Sequence, residues 1–199
     1  MSSGRAPRRR FTLLAATAVA GVLVLSACGG GTKAGGGGNT NFVTGSGGIS
    51  TVAKGDRTDA PKLDGTSLDG KALDVTDYKG KVVVLNFWYA GCPPCRLEAP
   101  TLASLSEEYD DVAFLGVNTR DYADQARIFE QEYGIAYPSI LDVDSASVQL
   151  AFAGSVAPNA VPTTLVLDRD GRVAARISGV IEAESILAAM IDRVLAEEG

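Results

Sequence analysis

Seven consecutive residues, Val82-Val83-Val84-Leu85-Asn86-Phe87-Trp88, carry one polar side chain among them, and after three more residues the chain reads Cys92-Pro93-Pro94-Cys95. A short, nearly continuous apolar run of β-branched and aromatic residues belongs in the middle of a sheet covered on both faces. Lys79-Gly80-Lys81 breaks the chain just before it. Beyond the cysteines the pattern changes to Leu97, Leu102 and Leu105 among charged residues, which predicts a helix ending near Tyr109. Pro94 suits its first turn, and Pro100 is expected to kink it, since proline lacks the N–H that an interior turn needs. The chain is therefore committed to a buried strand, a tight turn, and a helix whose first turn carries two thiols.

The remaining pattern extends this to an α/β domain. Leu63, Leu68, Leu73 and Val75 are spaced by Asp-Gly pairs at 64–65 and 69–70, predicting short strands joined by turns at both pairs. Val112–Val117 reads as a strand, 122–133 as an amphipathic helix with Ala126, Phe129 and Tyr133 on one face, and Ile140-Leu141 as a short strand. Ser147–Phe152 reads as a short helix. Thr163–Leu167 and Val173–Ile177 are predicted strands joined by the turn Asp168-Arg169-Asp170-Gly171, and 182–195 is a closing helix with Ile186, Leu187, Met190, Ile191 and Val194 facing the core. Strands alternating with helices, then a hairpin and a last helix, give a three-layer sandwich around a central mixed sheet, with an N-terminal hairpin and an inserted helix at 122–133.

The start of the chain has a different build. Arg5, Arg8, Arg9 and Arg10 precede an uncharged stretch from Phe11 to Leu25, which has the organisation of a secretory signal and is too short to span a membrane comfortably. It ends in Leu25-Ser26-Ala27-Cys28, which resembles the bacterial lipoprotein cleavage box, implying removal of 1–27 and a lipid on the Cys28 thiol; an ordinary signal peptide with an incidental cysteine and an uncleaved membrane anchor are the competing readings. Arg8-Arg9-Arg10-Phe11 bears a weak likeness to a twin-arginine export signal. Residues 29–48 hold ten glycines in twenty positions. Residues 28–52 are accordingly read as a flexible tether and 53–199 as the folded domain. Removing four arginines from 18 basic residues leaves 14 against 24 acidic, a net charge of −10, so attachment to an anionic membrane would depend on the lipid alone.

Composition closes several routes. The chain has no histidine, which excludes Ser-His-Asp triads, Cys-His dyads and histidine-ligated metals. An acidic balance argues against a nucleic-acid partner, and three cysteines are too few for a stapled scaffold or a four-thiolate zinc site. What remains is the Cys92–Cys95 pair. At a helix N-terminus the unpaired amides and the dipole favour a thiolate on Cys92, read as exposed, while Cys95, one turn on, sits where it can close a disulfide. A purely structural disulfide and half of a metal site are the competing readings of the same spacing.

The segment Phe87–Cys95, followed far along the chain by Val161-Pro162-Thr163, resembles the thioredoxin fold. The Trp-x-x-x-Cys-Pro-Pro-Cys form with an inserted helix is similar to the extracytoplasmic redoxin, or TlpA/ResA-like, thiol-disulfide oxidoreductases. That resemblance implies roles residue by residue. Cys92 is the attacking nucleophile and Cys95 the resolving thiol. Pro162 is a cis-proline facing the pair, with Val161 offering backbone hydrogen bonds to a substrate chain, and Trp88 and Pro93 complete the substrate-binding surface. Glu98 manages the protons of the pair. Tyr89-Ala90-Gly91 departs from the small-residue and tryptophan pattern usual before the first cysteine.

No cofactor and no metal are expected. The resemblance further implies protein disulfides or dithiols as partners, apocytochrome c among them, and a membrane thiol-disulfide donor or acceptor. The place it implies is the outer face of a bacterial cell membrane, held by lipid at Cys28. Net reduction is the expected direction. An oxidising, disulfide-forming lipoprotein, a thiol peroxidase and a redox-silent binding lipoprotein are the rival readings.

Overall fold

The computed structural model describes residues 48–59, 61, 64–155 and 160–197. The proposed signal segment, Cys28 and most of the tether lie outside them. Among the described residues eight strands form one mixed sheet: β1 (Ile49–Thr51), β2 (Asp64–Ser67), β3 (Ala72–Asp74), β4 (Val82–Trp88), β5 (Val112–Asn118), β6 (Ser139–Leu141), β7 (Thr163–Leu167) and β8 (Val173–Ser178). Their order is β1-β8-β7-β4-β5-β6-β2-β3. β4 runs parallel to β5 and antiparallel to β7, so it sits at the centre with neighbours on both sides. The described residues also form four α-helices that pack on the sheet: α1 (Pro93–Glu108), α2 (Ala123–Tyr133), α3 (Ser147–Ala151) and α4 (Glu184–Leu195).

Every residue of β4 is buried, and its alternation sorts the core into two clusters. Val82 and Val84 join Leu102 and Leu105 of α1 and Leu187 and Ile191 of α4. Val83, Leu85 and Phe87 join Ala126 and Phe129 of α2 and Val148 of α3. This is the expected three-layer sandwich. Among the described residues no helix is long and apolar enough to cross a membrane.

Two local expectations are revised. Asp64-Gly65 is not a turn: both residues lie in β2, with Gly65 against the Ile140 side chain, whereas the second pair turns as expected, Gly70 taking a left-handed φ of 75°. α1 runs through Pro100 and ends before Tyr109, as expected. Residues 49–51, inside the stretch read as tether, pair with Ala175–Ile177 as an edge strand. There β-branched Ile49, Thr51 and Val52 follow the glycines, and the chain satisfies β8 backbone groups that would otherwise form an open edge.

Candidate active site

β4 delivers the chain to the site. Beyond Trp88 a turn, closed by Cys92 N–H donating to the Tyr89 carbonyl at 3.1 Å, places Cys92 as the N-cap of α1. Pro93 and Pro94 occupy the first helical positions, where their fixed φ suits the helix and a missing N–H costs nothing. Cys92 and Cys95 form a disulfide with Cα atoms 5.3 Å apart, and Cys92 Sγ accepts the Cys95 amide at 3.2 Å. An amide aimed at that sulfur stabilises a thiolate once the bond is reduced. Cys92 is fully buried in the disulfide form, clustered with Trp88, Ala90 and Val161, so the sulfur read as exposed is covered.

Glu98, one turn past Cys95 on α1, is 1% exposed. Its Oε1 accepts the Asn86 side-chain amide at 2.8 Å and its Oε2 accepts the Ile181 backbone N–H at 3.0 Å. Burial pushes its carboxyl up to about 8, against the two hydrogen bonds, which favour the charged form. Asn86 also donates to Thr164 Oγ1 at 3.0 Å. A small cavity beside these groups is lined by Asn86, Trp88, Cys95, Ala99, Phe129 and Tyr137. Asn86 thus touches Glu98 and borders the same cavity as Cys95.

The other expected site residues divide. The Val161–Pro162 bond is cis, both residues are buried, and the Pro162 carbonyl accepts Gly179 N–H at 2.9 Å. Pro93 is exposed at the head of α1. Trp88 is buried and stacks on Phe129, with ring centroids 4.4 Å apart, so it supports the site from below and offers no open ring to a partner.

Sequence reasoning passed over Asn86, Asp121 and Arg96. The signal for Asn86 was present: a lone amide in a buried apolar strand requires a polar partner. Asp121 Oδ2 accepts the Ala90 amide at 2.6 Å, and Arg96 Nη1 donates to the Ala90 carbonyl at 3.3 Å. The Asp121 bond has no spacing signature, because the β5–α2 loop reaches the turn only through the fold, whereas Arg96 reaches back six residues from the first turn of α1.

Comparison with known proteins agrees with this geometry. Residues 53–191 match the Redoxin family model. The thiol-disulfide oxidoreductase ResA of Bacillus subtilis is 31% identical over 131 residues, covering 65% of this chain and 70% of ResA. The thiol:disulfide interchange protein HelX of Rhodobacter capsulatus is 34% identical over 146 residues, covering 73% of this chain and 79% of HelX. The crystal structure of a DsbF homologue from Corynebacterium diphtheriae matches with a TM-score of 0.65 at 33% identity, covering 76% of this chain and 96% of that one. The thioredoxin-like fold expected from the sequence is the fold of the protein, and the chain belongs to the Redoxin family, as one of its thiol-disulfide oxidoreductases.

Proposed function

We propose that this protein is a lipid-anchored reductant of protein disulfides on the outer face of a bacterial membrane, with Cys92 as nucleophile, Cys95 as resolving thiol and Glu98 as the group that manages their protons. The observation that carries the reading is the Cys92–Cys95 pair at the head of α1 with Glu98 buried one turn below it. In the reduced protein the Cys92 thiolate attacks one sulfur of a partner disulfide, and the partner's other sulfur leaves as a thiolate. Cys95 then gives up its proton and attacks Cys92, releasing the second partner thiol. Two electrons pass to the partner, and the pair is left oxidised for a membrane thiol donor to reduce.

Glu98 exchanges protons with Cys95 by way of water in the cavity that Cys95 shares with Asn86, the ionised form of the carboxyl being the acceptor. A carboxyl with a pKa near 8 exchanges protons readily with a thiol near its ordinary value. Val161 and Pro162 supply the backbone against which a substrate chain lies, with Pro93 at the rim. Apocytochrome c, whose haem-site cysteines must be reduced, is the proposed substrate on the family resemblance. The anchor rests on the Leu25-Ser26-Ala27-Cys28 box and the glycine-rich stretch after it.

Insulin reduction by the wild type and by Cys92→Ser tests the chemistry, and equal turnover sinks it. The reduction potential of the pair tests direction: a value of about −120 mV, that of a strong periplasmic oxidant, reverses the proposed flow. Trapping partners on Cys95→Ser tests the substrate, and a set without cytochrome c rejects it. Detergent phase partition of the wild type against Cys28→Ser tests the anchor. Both forms in the aqueous phase would remove it.

A further inference from the structure

The turn between Trp88 and Cys92 is held by side chains outside the cysteine motif. Ala90, at its centre, is buried, and its peptide groups are gripped from two sides. Asp121 Oδ2 takes its N–H at 2.6 Å, and Arg96, whose other guanidinium nitrogen pairs with Glu132 at 2.8 Å, donates to its carbonyl at 3.3 Å. Asp121 is itself fixed. The Asn118 side-chain amide donates to the same Oδ2 at 2.8 Å, while Asn118 Oδ1 accepts the Asp121 amide at 2.8 Å and the Arg120 amide at 3.2 Å. Thr119 N–H donates to the Trp88 carbonyl at 3.0 Å, and the Arg120 guanidinium lies over the Tyr89 ring at 4.6 Å.

Every residue from Asn118 to Asp121 therefore makes a contact that leads to the turn. The register explains how: Asn118, the last residue of β5, pairs with Trp88, the last residue of β4, so the loop leaving β5 runs directly beside the turn leaving β4. We infer that Asp121 is a positioning residue for Cys92, its carboxylate holding the Ala90 amide so that the turn delivers the Cys92 sulfur onto the Cys95 amide in the first turn of α1. The inference rests on the proposed role of Cys92 as nucleophile and deepens it.

Thiolate formation and attack both depend on where the sulfur sits. Displaced from the helix N-terminus it loses the Cys95 amide and the helix dipole that favour its charge, and displaced from the attack line it loses rate. Without Asp121 the buried Ala90 N–H has no acceptor, and the turn must shift to find water or another oxygen. An asparagine at 121 keeps a carbonyl oxygen for that N–H, which separates the positioning bond from the charge.

The test compares wild type, D121A and D121N in the reduced state, at a temperature where thermal melts show each fully folded. Two quantities are read: the pH profile of Cys92 alkylation by iodoacetamide, and the rate of mixed-disulfide formation with a small aromatic disulfide. In D121A the alkylation midpoint moves to higher pH and mixed-disulfide formation slows by about ten- to a hundredfold, the scale of a misplaced reacting group. D121N recovers most of both. A D121A protein with a lowered melting temperature but an unchanged profile and rate makes Asp121 merely structural and overturns the inference. Equal losses in D121A and D121N also overturn it, by assigning the effect to charge. Neither readout needs a protein substrate, so a wild type inactive on insulin would reject the proposed function while leaving this comparison decisive.

Discussion

The Asn86 side chain bridges two elements at the centre of the molecule, donating to Glu98 Oε1 on α1 at 2.8 Å and to Thr164 Oγ1 on β7 at 3.0 Å. A buried carboxyl thereby has a fixed polar partner on the strand that leads to the cysteines, and its titration becomes a property of the fold. Burial pushes the Glu98 carboxyl from about 4.5 up to about 8. The folded protein then keeps a proton that the unfolded chain gives up, so the contribution of this group is whole below pH 4.5 and is lost as pH rises through 8. Glu98→Gln does not ionise. Its unfolding free energy, followed with denaturant, is expected to vary less between pH 5 and 8 and to exceed the wild type above pH 8, with about 1.4 kcal/mol for each tenfold difference in carboxyl acidity between the folded and unfolded chain. Parallel curves for the two proteins would mean that Glu98 titrates normally.

Asn86→Leu takes away the amide donor while keeping an apolar body of similar size. The Asn86 hydrogen bond lowers the Glu98 pKa, so its loss should move the carboxyl titration above 8. Difference infrared spectroscopy of the carboxyl band reads this directly. With the buried Thr164 hydroxyl also losing a donor, the variant should be less stable by about 1–3 kcal/mol. A midpoint at or below that of the wild type would show that Asn86 does not stabilise the charged form.

The sequence made the central strand, the paired thiols, the order of elements and the burial of Val82–Trp88 legible because each rests on local periodicity or a contiguous motif. Glu98 was legible as a residue one turn past Cys95, and its partners were not: Ile181 lies 83 residues away and contributes a backbone amide, which any residue type supplies. The Asp64-Gly65 turn failed because an Asp-Gly pair signals a turn only where the chain has nothing better to pair with. Here β6 takes Thr66 and Ser67 into the sheet, and β3 takes Asp64, Gly65 and Thr66. The edge strand at Ile49–Thr51 was hidden because glycine content describes a stretch on average, while pairing needs only three residues at its end.

Gly116, in the middle of β5, has no room for a side chain. A Cβ there would meet Ser139 Oγ and lie 2.7 Å from Trp88 Nε1. Gly116→Ala must therefore push the indole against Phe129, on which it stacks, or spread β5 from β6. Overpacking of this kind costs about 1–3 kcal/mol. Trp88 is the only tryptophan in the chain, so its fluorescence reports the site without interference. A shifted emission maximum, together with slower disulfide exchange, is the expected result. Unchanged emission with full activity would show that the indole position is not tied to Gly116.

Arg57 closes the domain on the side of β1. Its side chain has no exposure, and it reaches Asp168 Oδ2 at 3.0 Å, both Glu197 oxygens at 2.6 Å and the Val52 carbonyl at 3.2 Å. It thus ties the segment after β1 to the β7–β8 turn and to the end of α4. Arg57→Ala leaves Asp168 buried with less positive charge beside it, and loss of one partner from a buried ion pair costs about 3–5 kcal/mol. The Arg57 hydrogen bonds hold the Glu197 carboxyl below its usual range; Asp168, raised by burial, is brought below its own by the Arg172 amide and the Arg57 guanidinium. For depressed carboxyls the stabilisation is present above the unfolded values, near pH 4, and is lost as pH falls through the lower folded ones. Urea unfolding of wild type and Arg57→Ala at pH 7 and at pH 3 separates these effects: the difference should be large at pH 7 and smaller at pH 3. An equal difference at both would mean that Arg57 stabilises through the Val52 carbonyl and packing alone, and no difference at pH 7 would mean that the clasp does not hold β1 in place.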